Sequence, residues 1–143
     1  MTTEEKREIL RSYRNHMMAA RKIKEELHRL ESSVLPKSAS FDGMPHGSDN
    51  ERDLSGWAAK CNELEHKLQM EYKRQIEAGE RIMDGIKALG DPLQQLVLFE
   101  HYISLKRIEK IAMETHYAES TIWKVHWKAI KSIHFSGGDH ADQ

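Results

Sequence analysis

The sequence predicts an all-α protein, in which a long antiparallel coiled-coil helical hairpin is followed by a C-terminal three-helix module that contains a helix-turn-helix. Two stretches of apolar residues at heptad spacing predict the two helices of the hairpin. A polar segment at residues 36–50 separates them, and a third apolar stretch at 91–135 has helical spacing. We therefore assign residues 1–90 to the hairpin, with a flexible loop at 36–50, residues 91–135 to the helix-turn-helix module, and residues 136–143 to a disordered tail.

The composition excludes several classes of protein. Of the 143 residues, 31% are charged and only 38% are hydrophobic, which suits extended helices better than a deep globular core. The longest uninterrupted apolar runs have four residues, so neither a transmembrane helix nor a signal peptide is expected. The single cysteine, Cys61, cannot form an internal disulfide and suits a reducing compartment. We expect a cytoplasmic protein that does not interact with a membrane.

The first predicted helix begins at Thr2 or Thr3, because a threonine followed by Glu4 and Glu5 is typical of a capping box. The helix ends at Leu35-Pro36, since proline disfavours a helical residue before it. Its heptad seam consists of Tyr13, His16, Ala20, Ile23, Leu27, Leu30 and Val34, with Ile9 extending it upstream.

The predicted loop at 36–50 holds two isolated apolar residues, Phe41 and Met44, among polar residues and glycines. One interpretation is a flexible connection between two helices. The other is a docking segment for a partner protein, with Phe41 and Met44 as its anchors.

The second predicted helix runs from Asp53 to Leu89 and ends at Gly90, a residue type typical of helix C-termini. Three consecutive four-residue steps from Leu64 to Ile76 predict a shift in the phase of its seam. The predicted seam consists of Leu54, Trp57, Cys61, Leu64, Leu68, Tyr72, Ile76, Gly79, Met83, Ile86 and Leu89.

The C-terminal module begins at Asp91-Pro92, which is typical of an N-cap followed by the first helical residue. A break at residues 102–104 then separates this helix from a second at 105–114. A third helix begins near Ala118 and carries an apolar stripe of Ile122, Val125, Ala129, Ile130 and Ile133. Two short helices joined by a tight turn predict a helix-turn-helix. His116 occupies the turn position where glycine is usual, and histidine tolerates the left-handed conformation that this position requires.

The nine histidines do not form a recognisable metal site, because no two of them lie three or four residues apart. We interpret His126 as a packed core residue and Cys61 as a small apolar residue of the seam. Neither a phosphate-binding glycine loop nor a Ser-His-Asp arrangement is recognisable. We therefore predict no catalytic residues, no metal site and no cofactor, and we do not expect an enzyme.

The motif residues of the C-terminal module resemble region 4 of bacterial sigma factors, which reads the promoter −35 element. The matching residues are Tyr102, Ile108 to Ala112, Ser120 to Ile122, Ala129 and Ile130. The whole chain also resembles a family of small phage and prophage proteins, similar to the ArpU and RinA type regulators of late transcription. These combine a coiled-coil N-terminus, a loop resembling residues 40–48 and a sigma-like C-terminus. The resemblance implies a bacterial host cytoplasm and action together with RNA polymerase.

The charge distribution marks the third helix as the candidate DNA-binding element. The net charge is −1, but Lys124, Lys128 and Lys131 form a local basic stripe. We expect one copy alone to bind DNA weakly, because phosphate contacts dominate affinity. The predicted DNA-binding residues are Ser120, Thr121, Trp123, Lys124, Trp127, Lys128 and Lys131. Of the two tryptophans, we place Trp123 partly in the core and Trp127 nearer the contact surface.

Two functions remain open. The first is a phage- or prophage-encoded regulator that binds double-stranded DNA and acts with host RNA polymerase. The second is an oligomeric adaptor whose helix-turn-helix binds RNA polymerase or a phage protein rather than DNA. Glu119 favours the adaptor, because sigma factors typically carry arginine there and a carboxylate repels phosphate. In both cases we expect a homo-oligomer formed through the coiled coil.

Overall fold

The computed structural model describes residues 1–34 and 47–136, with side chains for 1–33 and 54–136. Over these ranges the chain forms helices and no strand, which confirms the all-α prediction. The helices are α1 (Thr3–Val34), α2 (Gly47–Lys87), α3 (Pro92–Leu98), a π-helical turn (Phe99–Ile103), α4 (Ile108–Thr115) and α5 (Glu119–Ser132). None of them is both long enough and apolar enough to cross a membrane.

The described residues form two compact units. The first comprises residues 1–16 and 74–136, and the second comprises residues 17–34 and 47–73. Within the predicted loop, residues 47–50 are helical and belong to α2. Phe41 and Met44 lie outside the described residues, as do residues 137–143 of the predicted tail.

A reciprocal pair of hydrogen bonds fixes the start of α1. The Glu5 amide donates to Thr2 Oγ1 at 3.1 Å, and the Thr2 amide donates to Glu5 Oε2 at 2.8 Å. This is the predicted capping box, with Thr2 rather than Thr3 as the capping residue. It satisfies two backbone donors that a helix start otherwise leaves without partners.

The core of the second unit follows the predicted seams closely. Its buried residues and their half-buried neighbours are Ala20, Ile23, Leu27, Leu30, Trp57, Cys61, Leu64 and Leu68. The Trp57 indole N–H donates to the Leu30 carbonyl at 2.7 Å, which joins α1 to α2. Burial raises the pKa of the Cys61 thiol, as expected of a cysteine packed as an apolar residue.

The predicted phase shift in α2 is wrong. Tyr72 is 36% exposed and Ile76 is 60% exposed, whereas Ile82, which the predicted seam omitted, is fully buried. Buried or half-buried positions at alternating three- and four-residue steps run along α2 and just past its end: 61, 64, 68, 71, 75, 78, 82, 85 and 89. Positions 57, 79, 81, 83 and 86 are also buried or half-buried, so the predicted seam residues Gly79, Met83 and Ile86 do face the interior. The register therefore continues through Glu71 and Gln75. The choice of apolar residues alone, Tyr72 and Ile76, did not identify the positions of α2 that face the interior.

The core of the first unit surrounds the start of α1 on two sides. Leu10, which the predicted seam also omitted, is fully buried. Its cluster draws on α1, on α2 and the residues just after it, on the end of α3, on the π-helical turn, and on α5 and the segment after it. The members are Leu10, Ile82, Ile86, Leu89, Leu98, Tyr102, Ala129, Ile130, Ile133 and Phe135. Because α1 has two neighbours here, Leu10 is buried although it lies beside the seam. Phe135, beyond the predicted stripe, packs over Gly85, where a Cβ would lie 3.0 Å from its ring.

The connection from α3 to α4 corrects the predicted break at 102–104 and the predicted helix at 105–114. The helical path continues through the π-helical turn, and α4 begins only at Ile108. Leu105 has φ 60°, so it cannot belong to a right-handed helix. Lys106 then joins the π-helical turn to α4, with its Nζ 2.6 Å from Glu100 and 2.9 Å from Glu114.

The predicted N-cap of α3, Asp91, is confirmed, since its carboxylate accepts a hydrogen bond from the Leu93 amide at 2.9 Å.

The corrected register of α2 can be tested with two isoleucines of the same helix. We expect Ile82→Ala to lower the free energy of unfolding by about 2 to 5 kcal/mol, because it opens a cavity in a fully packed core. Ile76→Ala is the matched control and should change it by no more than about 0.5 kcal/mol, as at other exposed sites. Urea unfolding followed by circular dichroism measures both. The reverse ranking would restore the register predicted from apolar residue type.

Candidate nucleic-acid interface

Helices α4 and α5 are joined by a three-residue turn, His116 to Ala118. His116 adopts the left-handed conformation, with φ 62° and ψ 28°, and its amide donates to the Ala112 carbonyl. The Tyr117 amide donates to the same carbonyl at 3.1 Å. The turn thus closes α4 with a left-handed cap, although glycine is absent. The expectation that histidine takes the glycine position of the turn is confirmed.

A separate small core holds this helix pair against α3. It consists of Val97, Ile108, Ile111, Ala112 and Ile122, with Leu93 and Val125 at its edge. Ala112 is 5% exposed and small enough to let the two helices approach closely. Thr115 stands where an apolar residue was expected, and its hydroxyl donates to the Ile111 carbonyl at 2.7 Å. The polar atom is therefore satisfied within its own helix, so this position tolerates threonine.

Helix α5 has one buried side and one exposed side. Successive helical residues point about 100° apart, so six of the seven predicted site residues fall within an arc of roughly 140°. We call these six residues the α5 face: Ser120, Trp123, Lys124, Trp127, Lys128 and Lys131, all of them exposed. Thr121 lies outside this arc, beside Val125, and is half-buried. The opposite side holds Ile122, His126, Ala129 and Ile130, which are buried.

The two tryptophans of the α5 face are not separated in the way the sequence predicted. Trp123 is 39% exposed and Trp127 is 37% exposed, so neither lies deeper in the core than the other. Both rings touch His126 edge-on, with centroids 5.4 Å and 4.9 Å away respectively. Each indole therefore lies against the buried His126 ring and keeps part of its surface in solvent.

The charges on the α5 face are not neutralised by neighbouring residues. Lys124, Lys128 and Lys131 form no ion pair with any described residue. Glu119 is exposed at the start of the helix, where a carboxylate interacts favourably with the helix dipole. Ala118, the N-cap, offers no side chain to the first amides of α5. The three lysines are thus available to an anionic partner, and Glu119 is the acidic residue nearest to them along α5.

Beneath the tryptophans lies a cluster of aromatic side chains that holds the buried His126. The ring is 2% exposed and its Nε2 lies 2.7 Å from the Tyr102 hydroxyl, with the two rings stacked at 5.6 Å. Nδ1 is buried and has no hydrogen-bond partner among the described residues. Burial, reinforced by the charges of His101, Arg7 and Arg11, lowers the pKa of His126 to about 4. This confirms the prediction of a packed core histidine.

The π-helical turn supplies the partners of this histidine. It brings His101 and Tyr102 to the same place, with the His101 and His126 ring centroids 5.4 Å apart. His101 Nδ1 lies 2.8 Å from the Lys106 carbonyl oxygen. Burial raises the pKa of the Tyr102 phenol, which keeps it a neutral hydrogen-bonding group. In the part of the chain that the structure describes, no three His, Cys, Asp or Glu side chains converge as metal ligands.

The start of α1 contacts α5, which the sequence reasoning missed. Lys6 Nζ donates to the Lys131 carbonyl at 2.9 Å, and the Arg7 guanidinium lies 5.0 Å from the centre of the Trp127 ring. The available signal was the excess of basic residues near the N-terminus. Nothing in the seam pattern indicated that these residues meet the third helix of the module, since they lie more than a hundred residues away in the chain.

Neither a protein-family model, nor a curated protein, nor a solved structure matches this chain. The resemblance to sigma region 4 and to the phage regulators therefore stays a prediction. The function has to be argued from the α5 face itself.

The buried His126 predicts a specific dependence of stability on pH. In the unfolded chain His126 titrates near 6.5, whereas in the native state its pKa is about 4. Between these values the unfolded state binds a proton that the native state does not, so stability falls as the pH drops from 6.5 to 4. At about 1.4 kcal/mol per pKa unit, the loss amounts to at most about 3 kcal/mol.

We expect His126→Gln to lack this component of the pH profile, because glutamine can bond the Tyr102 hydroxyl but does not titrate. His28→Gln, at an exposed position of α1, is the matched control and should retain it. Urea titrations at a series of pH values give the profiles. Parallel profiles for His126→Gln and the unchanged protein would contradict the assignment.

Proposed function

We propose that the chain is a transcriptional regulator that binds double-stranded DNA through the α5 face. The observation that carries the proposal is the pair of helices α4 and α5, joined by a three-residue turn, in which α5 exposes three lysines with no ion-pair partner among the described residues. We interpret this pair as a helix-turn-helix. In this motif the second helix enters the major groove and its first residues meet base edges. Its lysines are then within reach of the phosphates on either side of the groove.

The residues of α5 divide into two roles by their position along the helix. Ser120, Thr121 and Lys124 lie in its first two turns and are the candidates for contacts with base edges. Lys128 and Lys131 lie in the last two turns and are candidates for phosphate contacts. The starts of α4 and α5 support the same orientation, since neither is capped by a described side chain. Backbone amides at a helix start that have no capping partner can donate to phosphate oxygens.

The remaining parts of the proposal follow from the resemblance and from the two long helices. A sigma region 4-like module in a phage or prophage regulator acts with host RNA polymerase in the bacterial cytoplasm. We propose that two copies of the chain associate through the coiled-coil hairpin formed by α1 and α2. Two copies would double the contacts of a weak DNA module. Three large apolar side chains of α2 are exposed and so are available for contact with a second copy of the chain: Met70, Tyr72 and Ile76.

Substitution of the lysines tests DNA binding directly. Lys124→Ala and Lys128→Ala are each expected to weaken binding to DNA of any sequence and to reduce the slope of log K against log salt by about 1. Both side chains are exposed, so the free energy of unfolding should change by no more than about 0.5 kcal/mol. Fluorescence anisotropy with a labelled duplex at several salt concentrations measures the slopes.

Glu119→Arg is the counterpart of opposite sign and should strengthen binding, since it replaces a repelling carboxylate with a cation. Lys60→Ala, an exposed lysine of α2 in the second unit, is the control for a general loss of charge. Salt slopes and affinities that are the same for all of these variants as for the unchanged protein would exclude the proposed DNA interface.

The second candidate function is a protein–protein adaptor that binds RNA polymerase or a phage protein through the same helix. The half-exposed pair Trp123 and Trp127 favours it, because tryptophans are enriched among residues that dominate protein interfaces. The net charge of −1 and the carboxylate of Glu119 favour it as well. The two functions differ in what the α5 face recognises, which is phosphate in one case and an apolar pocket in the other.

For the adaptor function, Trp127→Ala is the informative substitution. Removing an interface tryptophan is expected to weaken partner binding by at least about 2 kcal/mol, which is roughly thirtyfold. Lys128→Ala should leave that binding nearly unchanged. Purified bacterial RNA polymerase titrated against labelled protein is the probe. Equal affinities for the two variants would count against a tryptophan-centred protein interface.

A further inference from the structure

The contacts between α1 and α5 extend the candidate interface beyond the helix-turn-helix. Trp127 lies near the middle of the α5 face, one turn from Lys124 on one side and from Lys131 on the other. The Arg7 guanidinium lies over its ring at 5.0 Å. Arg7 therefore belongs to the same surface as these lysines, although it comes from the first unit's N-terminal segment.

A second contact holds this part of α1 in place. Lys6 is 8% exposed, and its Nζ donates to the Lys131 carbonyl at 2.9 Å. This carbonyl is one of the last four of α5, which have no partner within the helix and carry the negative end of its dipole. The Lys6 ammonium thus offsets a negative charge that would otherwise repel a phosphate near the end of α5.

Arg11 follows Arg7 by one helical turn on the same side of α1. It is exposed and has no ion pair with a described residue. Because Arg7 contacts Trp127 of α5, Arg11 lies on the side of α1 that carries this contact. Arg7 is 26% exposed in its side chain, pairs with Glu4 at 3.1 Å and has a buried Nε without a hydrogen-bond partner among the described residues.

The α5 face consequently lies between two flanks. On one side α5 packs against α4 through the core of Ile111 and Ile122, and on the other side it meets α1 through Arg7 and Lys6. A helix in the major groove also has two flanks, because a phosphate backbone runs along each edge of the groove. The geometry points to Arg7 and Arg11 as phosphate-binding residues for the DNA strand on the side of the groove away from α4.

This inference rests on the proposed function, since it concerns the DNA contacts of the same surface. It adds phosphate contacts from the start of α1 to those that the helix-turn-helix makes by itself. Arginine suits it, because its guanidinium can stack on an indole and bind phosphate at the same time. The interface then combines two arginines from α1 with the three lysines of α5. It therefore carries five cationic side chains, although the net charge of the whole chain is −1.

The test compares the salt dependence of DNA binding in full-length variants. We expect Arg7→Ala combined with Arg11→Ala to reduce the slope of log K against log salt by about 2, one for each phosphate contact. Arg21→Ala, at an exposed arginine of α1 in the second unit, is the matched control and should leave the slope unchanged. Glu4→Gln should strengthen binding, because it releases Arg7 from its carboxylate partner. Circular dichroism and thermal unfolding establish that each variant is folded.

The possible outcomes separate the inference from the function on which it rests. A reduced slope for the arginine pair together with stronger binding by Glu4→Gln supports it. If the lysine variants reduce the slope and the arginine pair does not, α5 binds DNA without α1 and the inference is overturned while the function stands. Absence of DNA binding by the unchanged protein at low salt overturns both.

Discussion

The first unit depends on the burial of α5 between two separate cores. One side of the helix packs with α3 and α4 around Ile111 and Ile122, and the adjacent side packs with α1, α2 and the π-helical turn around Ala129 and Ile130. Because the two cores contact different sides of α5, the helix has a defined rotation about its own axis. That rotation determines which residues form the exposed face.

The same arrangement explains why a histidine and a π-helical turn are found at the centre of the unit. His126 lies where the two buried sides of α5 meet, and Tyr102 is the residue that satisfies its Nε2. An extra residue in the turn of a π-helix changes the direction of the side chains that follow, and such turns are frequently associated with functional sites. The unpaired Nδ1 is a cost of this packing, and the low pKa keeps the ring neutral so that no buried charge is added.

The α5 face carries features of two kinds of interface at once. Its lysines suit phosphate, whereas its tryptophans suit an apolar pocket or a stacked base. The position of Arg7 over Trp127 favours the first, because it covers part of the indole with a cation and so makes the surface around it more basic. Both functions use the same helix, so they differ in what the α5 face recognises rather than in the fold.

The sequence by itself determined the features that depend on local interactions. The helix starts at Thr2 and Asp91, the left-handed turn at His116 and the exposed arc of α5 all follow from caps, backbone preferences and helical periodicity, which act within a few residues. The tertiary structure alone decided the features that depend on distant partners. Leu10 and Ile82 are buried because several helices surround them, and the seam of α2 passes through polar and small residues that periodicity of apolar types could not reveal. The meeting of Arg7 with Trp127 likewise joins residues from opposite ends of the chain, so only the packing of α1 against α5 could place them together.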